Sequence, residues 1–149
     1  MEGEYQNICY IGRAKAGYTQ EVWAEILGIS VDTVRKYESG AILPSDQVAL
    51  RIADAADLKL LAYWHLRNKS ALGSSVLPAV RRRTLPEAVL AIMNRVEDFQ
   101  RHGLQDLREL AEDGKIDADE VIAYGEAMDQ LRQVIAAAYE LEYAREAES

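Results

Sequence analysis

The sequence lacks several features that would place it in other classes of protein. It contains one cysteine, Cys9, in 149 residues, so no disulfide can form within the chain. Cys9 falls in a predicted helix, where we expect a packed thiol. No apolar run approaches the roughly 18 residues of a membrane span, and the first ten residues are acidic where a secretory signal would be basic. We therefore expect a cytoplasmic protein with no membrane segment.

The side-chain groupings of catalysis and metal binding are also missing. The sequence has no glycine-rich phosphate loop, and its two histidines, His65 and His102, lack cysteine or suitably spaced carboxylate partners. The carboxylates of the C-terminal half are typical of a solvated helix surface. We therefore predict that the chain is not an enzyme and has no catalytic residue, metal ligand or cofactor.

Charge is divided unevenly along the chain, whose net charge is −8. Residues 1–83 contain 11 basic and 9 acidic side chains, a net of +2, whereas residues 84–149 contain 6 and 16, a net of −10. Phosphate would repel the acidic half. Any nucleic-acid binding therefore belongs to the N-terminal half, with a modest nonspecific affinity.

The apolar residues recur at three- and four-residue spacing with no alternating strand pattern, which predicts an all-α fold. The predicted helices cover residues 7–16, 20–27, 31–39, 46–56 and 58–69, then 85–112 and 118–146. They divide the chain into a five-helix domain at 1–69, a linker at 70–83 that contains three serines, a glycine and a proline, and a long two-helix hairpin at 84–149.

Residues 19–40 contain two short helical patterns that meet at a turn. One helix face is formed by Val22, Trp23, Ile26 and Leu27. Gly28 follows, where a left-handed helix end is least costly for a residue without a Cβ. Ser30 is placed to cap the second helix. Two short helices joined by a three- to four-residue turn with a glycine form the unit that lays its second helix in the major groove.

The stretch TQEVWAEILGISVDTVRKYESG resembles the helix-turn-helix of the phage repressor and Cro class, the XRE family. The similarity covers roughly residues 7–66 and includes the small Ala24 where two helices cross. Trp23 departs from the usual leucine, and Gly12 from the usual apolar or alanine residue. The resemblance implies a five-helix repressor-like domain that binds double-stranded DNA.

The resemblance also implies which residues contact bases. The first, second and sixth positions of the second helix point at base edges, and here these are Val31, Asp32 and Lys36. Lys36 can donate to guanine, Asp32 can accept from a cytosine amino group, and Val31 suits a thymine methyl. Asp32 has a second interpretation, because an anion near a helix N-terminus is favoured by the helix dipole.

Other residues are candidates for the DNA backbone. Gln20 opens the first helix of the motif and matches a family position that binds phosphate. Thr33 and Arg35 are weaker candidates for backbone contacts. The basic run Arg81, Arg82 and Arg83 either contacts phosphate or forms a basic tether; both alternatives remain open.

The C-terminal half shows heptad-like spacing in both of its helices. The residues concerned are Val89, Ile92, Val96, Phe99, Gly103, Leu107 and Leu110, then Val121, Tyr124, Met128, Leu131, Ile135 and Ala138. Such spacing indicates helix packing, and two hairpins related by a two-fold axis would bury these residues in a four-helix bundle. We therefore predict a homodimer; the alternative is that the hairpin packs on its own N-terminal domain.

The segments LAYWHLR, LPEAVL and AEDGKIDADE resemble an extension found on prophage-type regulators of the same family. Residues 113–120 also match the second half of an EF-hand calcium loop, whose full length here would be 109–120. The first and third ligand positions of that loop hold Glu109 and Ala111, which departs from the usual pattern. The alternative is that Gly114 ends one helix and that Asp117 and Glu120 form a capping box for the next.

Together these features predict a sequence-specific DNA-binding regulator, a repressor that binds an inverted-repeat operator as a homodimer. The alternative function is a protein-interaction adaptor or antitoxin-like autoregulator, whose acidic hairpin binds a protein partner.

Overall fold

The computed structural model describes residues 6–147 of the chain, and the side chains of residues 6–144. Residues 1–5 and 148–149, which belong to the first and last predicted domains, lie outside the described residues. Every regular element in the described part is a helix, so the predicted all-α fold is confirmed. None of these helices is long and apolar enough to span a lipid bilayer. The chain forms two compact units, which divide between Ala79 and Val80.

The N-terminal unit contains six helices. They are α1 (Ile8–Ala16), α2 (Gln20–Leu27), α3 (Val31–Glu38), α4 (Asp46–Ala55), α5 (Leu60–Asn68) and α6 (Ala71–Val76). The first five match the five predicted helices, with ends that differ by at most two residues. Three of these helices begin directly after a serine or threonine whose side chain caps them. The side chains of Thr19, Ser30 and Ser45 each accept a hydrogen bond from the third backbone N–H of the helix that follows.

The core of this unit is built around large apolar side chains. Those with almost no exposed surface include Ile8, Trp23, Leu27, Val34, Ile52, Leu58, Leu60 and Leu61. Cys9 is packed among them, and burial raises the pKa of its thiol to about 11. The left-handed conformation of Gly28 (φ 68°) ends α2 and begins the turn to α3.

The segment 70–83, which the sequence predicts as a linker, differs from that expectation because it is helical over Ala71–Val76. Gly73 lets this short helix lie against the end of α5: a Cβ there would stand 2.2 Å from the carbonyl oxygen of Leu66. Arg67 Nε donates to the Leu77 carbonyl at 3.0 Å, and the Tyr63 hydroxyl donates to the Pro78 carbonyl at 2.6 Å. Residues 71–78 are therefore attached to the N-terminal unit.

The C-terminal unit is an antiparallel hairpin. Its first arm consists of α7 (Leu85–Asp98), a π-helical turn (Phe99–Gly103) and α8 (Leu104–Ala111), and its second arm is α9 (Val121–Ala147). Thr84 and Glu87 form a capping box at the start of α7. The second arm begins three residues later than predicted, because Asp117 and Glu120 close a turn: the backbone N–H of Asp117 donates to Glu120 Oε2 at 3.0 Å.

The π-helical turn is a feature that the sequence does not predict. Gly103 is buried in it, and a Cβ at this position would stand 2.6 Å from Gln130 Oε1 and 2.7 Å from Phe99 Cδ2. A π turn adds one residue to the helical repeat. The absence of a side chain at Gly103 lets this turn lie close to Gln130 of α9.

Candidate nucleic-acid interface

Helix α3 is anchored by one face and open on the other. Val34 is fully buried and fixes the helix to the core. The side chains of Asp32, Arg35 and Lys36 are exposed, and those of Val31 and Thr33 are half-buried. The residues that the sequence predicts as DNA contacts on this helix therefore form one accessible surface, with Gln20 at the start of the neighbouring helix α2.

Asp32 and Lys36 form an ion pair on this surface. Lys36 Nζ lies 2.8 Å from Asp32 Oδ2, one helical turn away, and both side chains are more than half exposed. The hydrogen bond from Lys36 lowers the pKa of Asp32, and that bond in turn raises the pKa of Lys36. Both groups are therefore charged at neutral pH. Ser30 already caps the helix by accepting from the backbone N–H of Thr33, so Asp32 is not needed as the cap.

Arg35 also has an acidic neighbour. Its Nη2 atom lies 3.8 Å from Glu21 Oε1 of helix α2, and both side chains are well exposed. An exposed pair at this distance contributes little stability. The pair matters more for the charge of the surface. Arg35 and Lys36, the two cations of α3, each have a carboxylate beside them, so positive and negative charges are equal in number here.

Gln20 has a partner that the sequence does not predict. Its Nε2 atom donates to Glu38 Oε2 at 2.8 Å. Glu38 also accepts from Arg13, with Nε 2.6 Å from Oε1 and Nη2 3.1 Å from Oε2. Burial alone would raise the pKa of Glu38, but the hydrogen bonds from Arg13 and Gln20 hold that pKa below its usual value. The amide side chain of Gln20 is therefore bound within the protein, while the first backbone N–H groups of α2 have no acceptor within the helix.

A second contact fixes the end of α3. Asn7 Nδ2 donates to the carbonyl oxygens of Tyr37 and Glu38, at 3.1 and 2.8 Å, while Asn7 Oδ1 accepts from the backbone N–H of Tyr10. The amide of Asn7 thus caps α1 and satisfies the last carbonyls of α3 at once. Together with the Arg13–Glu38 pair, this contact ties the end of α3 to α1 and its cap. The sequence does not indicate that Asn7 and Arg13 bind the end of α3, because they lie 25 to 31 residues from Glu38 along the chain.

Thr33 is the predicted contact residue least available to DNA. Its hydroxyl lies 2.8 Å from the hydroxyl of Ser30, so it belongs to the hydrogen-bonded cap of α3. Val31, in the first turn of the same helix, presents a half-buried apolar side chain.

The basic run at residues 81–83 belongs to the C-terminal unit. Arg83 pairs with the carboxylate of Glu140, which is almost completely buried in α9. The same carboxylate accepts from the backbone N–H of Arg81 at 3.2 Å. Arg83 therefore joins the start of the first arm to α9. A phosphate contact and a basic tether both stay predictions for the run at 81–83.

The remaining sequence candidates have structural partners. His65 is buried, with Nε2 3.1 Å from Asp46 Oδ1, and burial lowers the pKa of its imidazole. In the EF-hand-like loop, Asp113 Oδ1 accepts from the backbone N–H of Lys115 at 3.0 Å. Among residues 6–144, no three histidine, cysteine or carboxylate side chains are grouped so as to hold a metal ion.

Comparison with known proteins gives one match. Residues 11–62 match the family model of the helix-turn-helix. The matched segment contains all of α2 and α3, with the six residues predicted to contact DNA. The comparisons with curated proteins and with solved structures found no match. The family match and the helix geometry therefore point to the same segment.

Proposed function

We propose that this chain, whose residues 11–62 belong to the helix-turn-helix family of DNA-binding regulators, is a sequence-specific repressor that binds an inverted-repeat operator as a homodimer. The observation that carries the proposal is the exposed surface of α3, which presents a cation, an anion and an apolar side chain in adjacent turns. An α-helix with such side chains fits the major groove of B-DNA, where each base pair has a distinct pattern of donors and acceptors.

The Lys36–Asp32 pair matches the pattern of one G·C base pair. In the major groove, the O6 acceptor of guanine lies beside the N4 donor of cytosine. A lysine and a carboxylate whose charged atoms are 2.8 Å apart can therefore contact the two bases together. Each group then exchanges its partner on α3 for a partner on DNA, so that neither charge is left unpaired.

The balanced charge of the surface also favours specificity. Glu21 and Asp32 lie beside the two cations of α3 and would repel phosphate in any register that does not supply a partner. Nonspecific binding, which depends on the number of phosphates neutralised, should be weak. On the correct site, the bases replace the ion-pair partners that the side chains of α3 give up on binding. On other sites they do not, so the difference between specific and nonspecific affinity increases.

Contacts to the DNA backbone position the helix. We assign these to the backbone N–H groups in the first turn of α2, at Gln20, and to the side chain of Arg35. The role of Gln20 thus lies in its backbone, since Glu38 binds its side chain. Thr33 contributes through the cap of α3.

The homodimer follows from the limited reach of one recognition helix. A single α3 covers a few base pairs, and a second half-site about one helical turn away multiplies both affinity and specificity. We assign dimerisation to residues 84–149. Repression, as opposed to activation, rests on resemblance to the phage repressors.

The experiment is selection of bound duplexes from a random-sequence library at near-physiological salt. An enriched inverted repeat that contains a G·C pair at the same place in each half-site is the expected result. Weak, salt-sensitive binding without any enriched sequence would contradict the proposal.

The second candidate function is an adaptor or antitoxin-like regulator that binds a protein partner. It is favoured by the net charge of −10 in residues 84–149. Such a surface predicts a basic partner, whose capture is lost as salt is raised. A regulator that acts on DNA alone predicts no such capture.

A further inference from the structure

The basic side chains of the helix-turn-helix region have partners within the protein. Residues 8–55 contain five of them, Arg13, Lys15, Arg35, Lys36 and Arg51. Three form ion pairs with carboxylates, and the other two donate to backbone carbonyls at the ends of α4 and α2. A phosphate can reach one of these cations only if it competes with the existing partner. Neutral hydrogen-bond donors should therefore contribute more than usual to binding of the DNA backbone.

Two neutral side chains at the start of α2 are also engaged. Thr19 Oγ1 accepts from the backbone N–H of Val22 at 3.2 Å, and the amide of Gln20 donates to Glu38. The hydroxyl of Tyr18, the residue before this cap, makes no hydrogen bond to any residue that the structure describes. Tyr18 is 40% exposed. Its hydroxyl is therefore open to a ligand at the same end of the helix.

Tyr18 is held in place by its backbone and by its ring. Its backbone N–H donates to the Arg13 carbonyl at 3.3 Å, and its own carbonyl accepts from Arg13 Nη1 at 3.1 Å. The phenol ring stacks on the indole ring of Trp23, with the ring centroids 6.1 Å apart and the planes at 26°. Trp23 is the fourth residue of α2, so the phenol lies beside the first turn of that helix. A side chain fixed in this way loses little conformational entropy when it binds.

We infer that the Tyr18 hydroxyl donates a hydrogen bond to a phosphate oxygen of the DNA backbone at the start of α2. This inference rests on the proposed function and adds a residue to the contacts that position α3. The first N–H groups of α2 and the positive end of its dipole favour an anion there. Tyrosine is one of the neutral side chains from which phosphate oxygens accept hydrogen bonds in protein–DNA complexes. The phenol brings no charge, so this contact leaves the ion pairs of α3 free to exchange with bases.

A contact of this kind has two measurable properties. It carries no sequence information, because every base pair presents the same phosphate. It also adds nothing to the salt dependence, because the slope of affinity against salt reports the phosphates that cations neutralise. Tyr18 thus adds the same affinity on every duplex and at every salt concentration.

The test compares the full-length wild type with Tyr18→Phe by fluorescence anisotropy, on the selected operator and on random-sequence duplex. The substitution removes the hydroxyl and keeps the ring that stacks on Trp23, so the temperature of unfolding should stay unchanged. Tyr124→Phe is the matched control, at an exposed tyrosine of the hairpin. Arg35→Gln is the comparison for a charged phosphate contact.

We expect Tyr18→Phe to weaken binding to both duplexes by the same factor, roughly tenfold, and to keep the salt slope of the wild type. Arg35→Gln should instead lower the slope by about 1, and Tyr124→Phe should change neither quantity. Wild-type affinity in Tyr18→Phe, or weakening on the operator alone, would overturn the inference.

Nitration by tetranitromethane gives a second measurement, for the case that Tyr18→Phe is destabilised. Saturating random-sequence duplex should slow nitration of Tyr18 and leave that of Tyr124 unchanged, as measured by mass spectrometry of the digested protein. Equal nitration of Tyr18 with and without duplex would overturn the inference. The two proposals fail separately. A wild type that selects no operator but shows this protection contradicts only the repressor proposal, whereas one that selects an operator without protection of Tyr18 contradicts only the inference.

Discussion

The Cζ2 atom of Trp23 lies 3.2 Å from the point where a Cβ atom on Gly12 would stand. Side-chain atoms of Ile52 and Leu61 lie equally close, at 3.1 and 3.3 Å. Trp23 is larger than the leucine usual at its position, and Gly12 is smaller than the usual residue at its own. The indole ring therefore occupies space that a side chain at position 12 would take, and the two departures from the family pattern compensate each other.

This compensation predicts strong coupling between the two positions. Gly12→Ala should lower the free energy of unfolding, because crowding in a packed core outweighs the roughly 1 kcal/mol by which alanine favours a helix. Trp23→Leu should cost about 2–3 kcal/mol through the void that it leaves. In the Trp23→Leu background, Gly12→Ala should stabilise, with a coupling energy of at least about 1 kcal/mol.

Urea unfolding followed by circular dichroism measures all four members of this cycle. Gly125→Ala is the control, because a Cβ at Gly125 meets no atom within 4 Å and reports the helix preference alone. Additive effects at positions 12 and 23 would show that they do not share space.

The carboxylate of Asp32 should restrain nonspecific DNA binding. Asp32→Asn removes a negative charge from the surface of α3 and releases Lys36 from its ion pair. We expect tighter binding to random-sequence duplex, with a logarithmic salt slope steeper by about 1. Fluorescence anisotropy at several salt concentrations gives both quantities. Asp54→Asn, an equal charge change on the exposed side of α4, is the control. Equal effects of the two substitutions would attribute the change to net charge alone.

The stability of the N-terminal unit should fall with mild acid because of His65. Burial holds the pKa of this imidazole below its ordinary value of 6.5, despite the opposing effect of Asp46. The unfolded chain therefore binds a proton at a higher pH than the folded chain. Stability is complete above pH 6.5 and decreases as the pH falls from there toward the lowered pKa of the folded state. Thermal unfolding between pH 7.5 and pH 5 measures this effect.

His65→Gln should flatten that part of the pH profile, since glutamine has no proton to gain. His102→Gln, an exposed position in the π-helical turn, serves as the comparison. If the stability of His65→Gln still falls between pH 7.5 and pH 5 as it does in the wild type, groups other than His65 cause the effect.

The thiol of Cys9 should be inert in the folded protein. Burial raises its pKa to about 11, and only the thiolate reacts with disulfide reagents. At pH 8 we expect no reaction in native buffer and complete reaction after denaturation in guanidinium. Rapid labelling of the native protein would show that the packing around α1 opens readily.

The features that could be predicted from the sequence are those formed by neighbours along the chain. The caps at Thr19 and Ser30 depend on residues three apart, and the helix ends follow from them. The hydrogen bond from Gln20 to Glu38 spans 18 residues, so the sequence indicates only that Gln20 opens a helix. Helix α6 does not follow from the sequence, because three serines, a glycine and a proline within residues 70–78 are typical of a linker. Gly73 is instead needed for close approach to α5.

The hairpin illustrates the same limit. Heptad spacing in residues 84–149 predicts two packed helices, and the structure has them. The spacing does not indicate which apolar residues meet within one copy. Small residues such as Ala88 and Ala127 are buried in the hairpin, whereas larger apolar residues such as Val89 and Met93 remain exposed.

The central claim is that α3 contacts bases through Lys36, and its most direct test combines a protein change with a base-pair change. Binding of wild type and Lys36→Ala is measured on the selected operator and on operators in which each base pair of one half-site is replaced in turn. We expect Lys36→Ala to weaken binding to the selected operator by roughly ten- to a hundred-fold, and to abolish discrimination at one G·C pair alone. Equal weakening on every operator, with all discrimination retained, would show that Lys36 contacts phosphate and would contradict the claim.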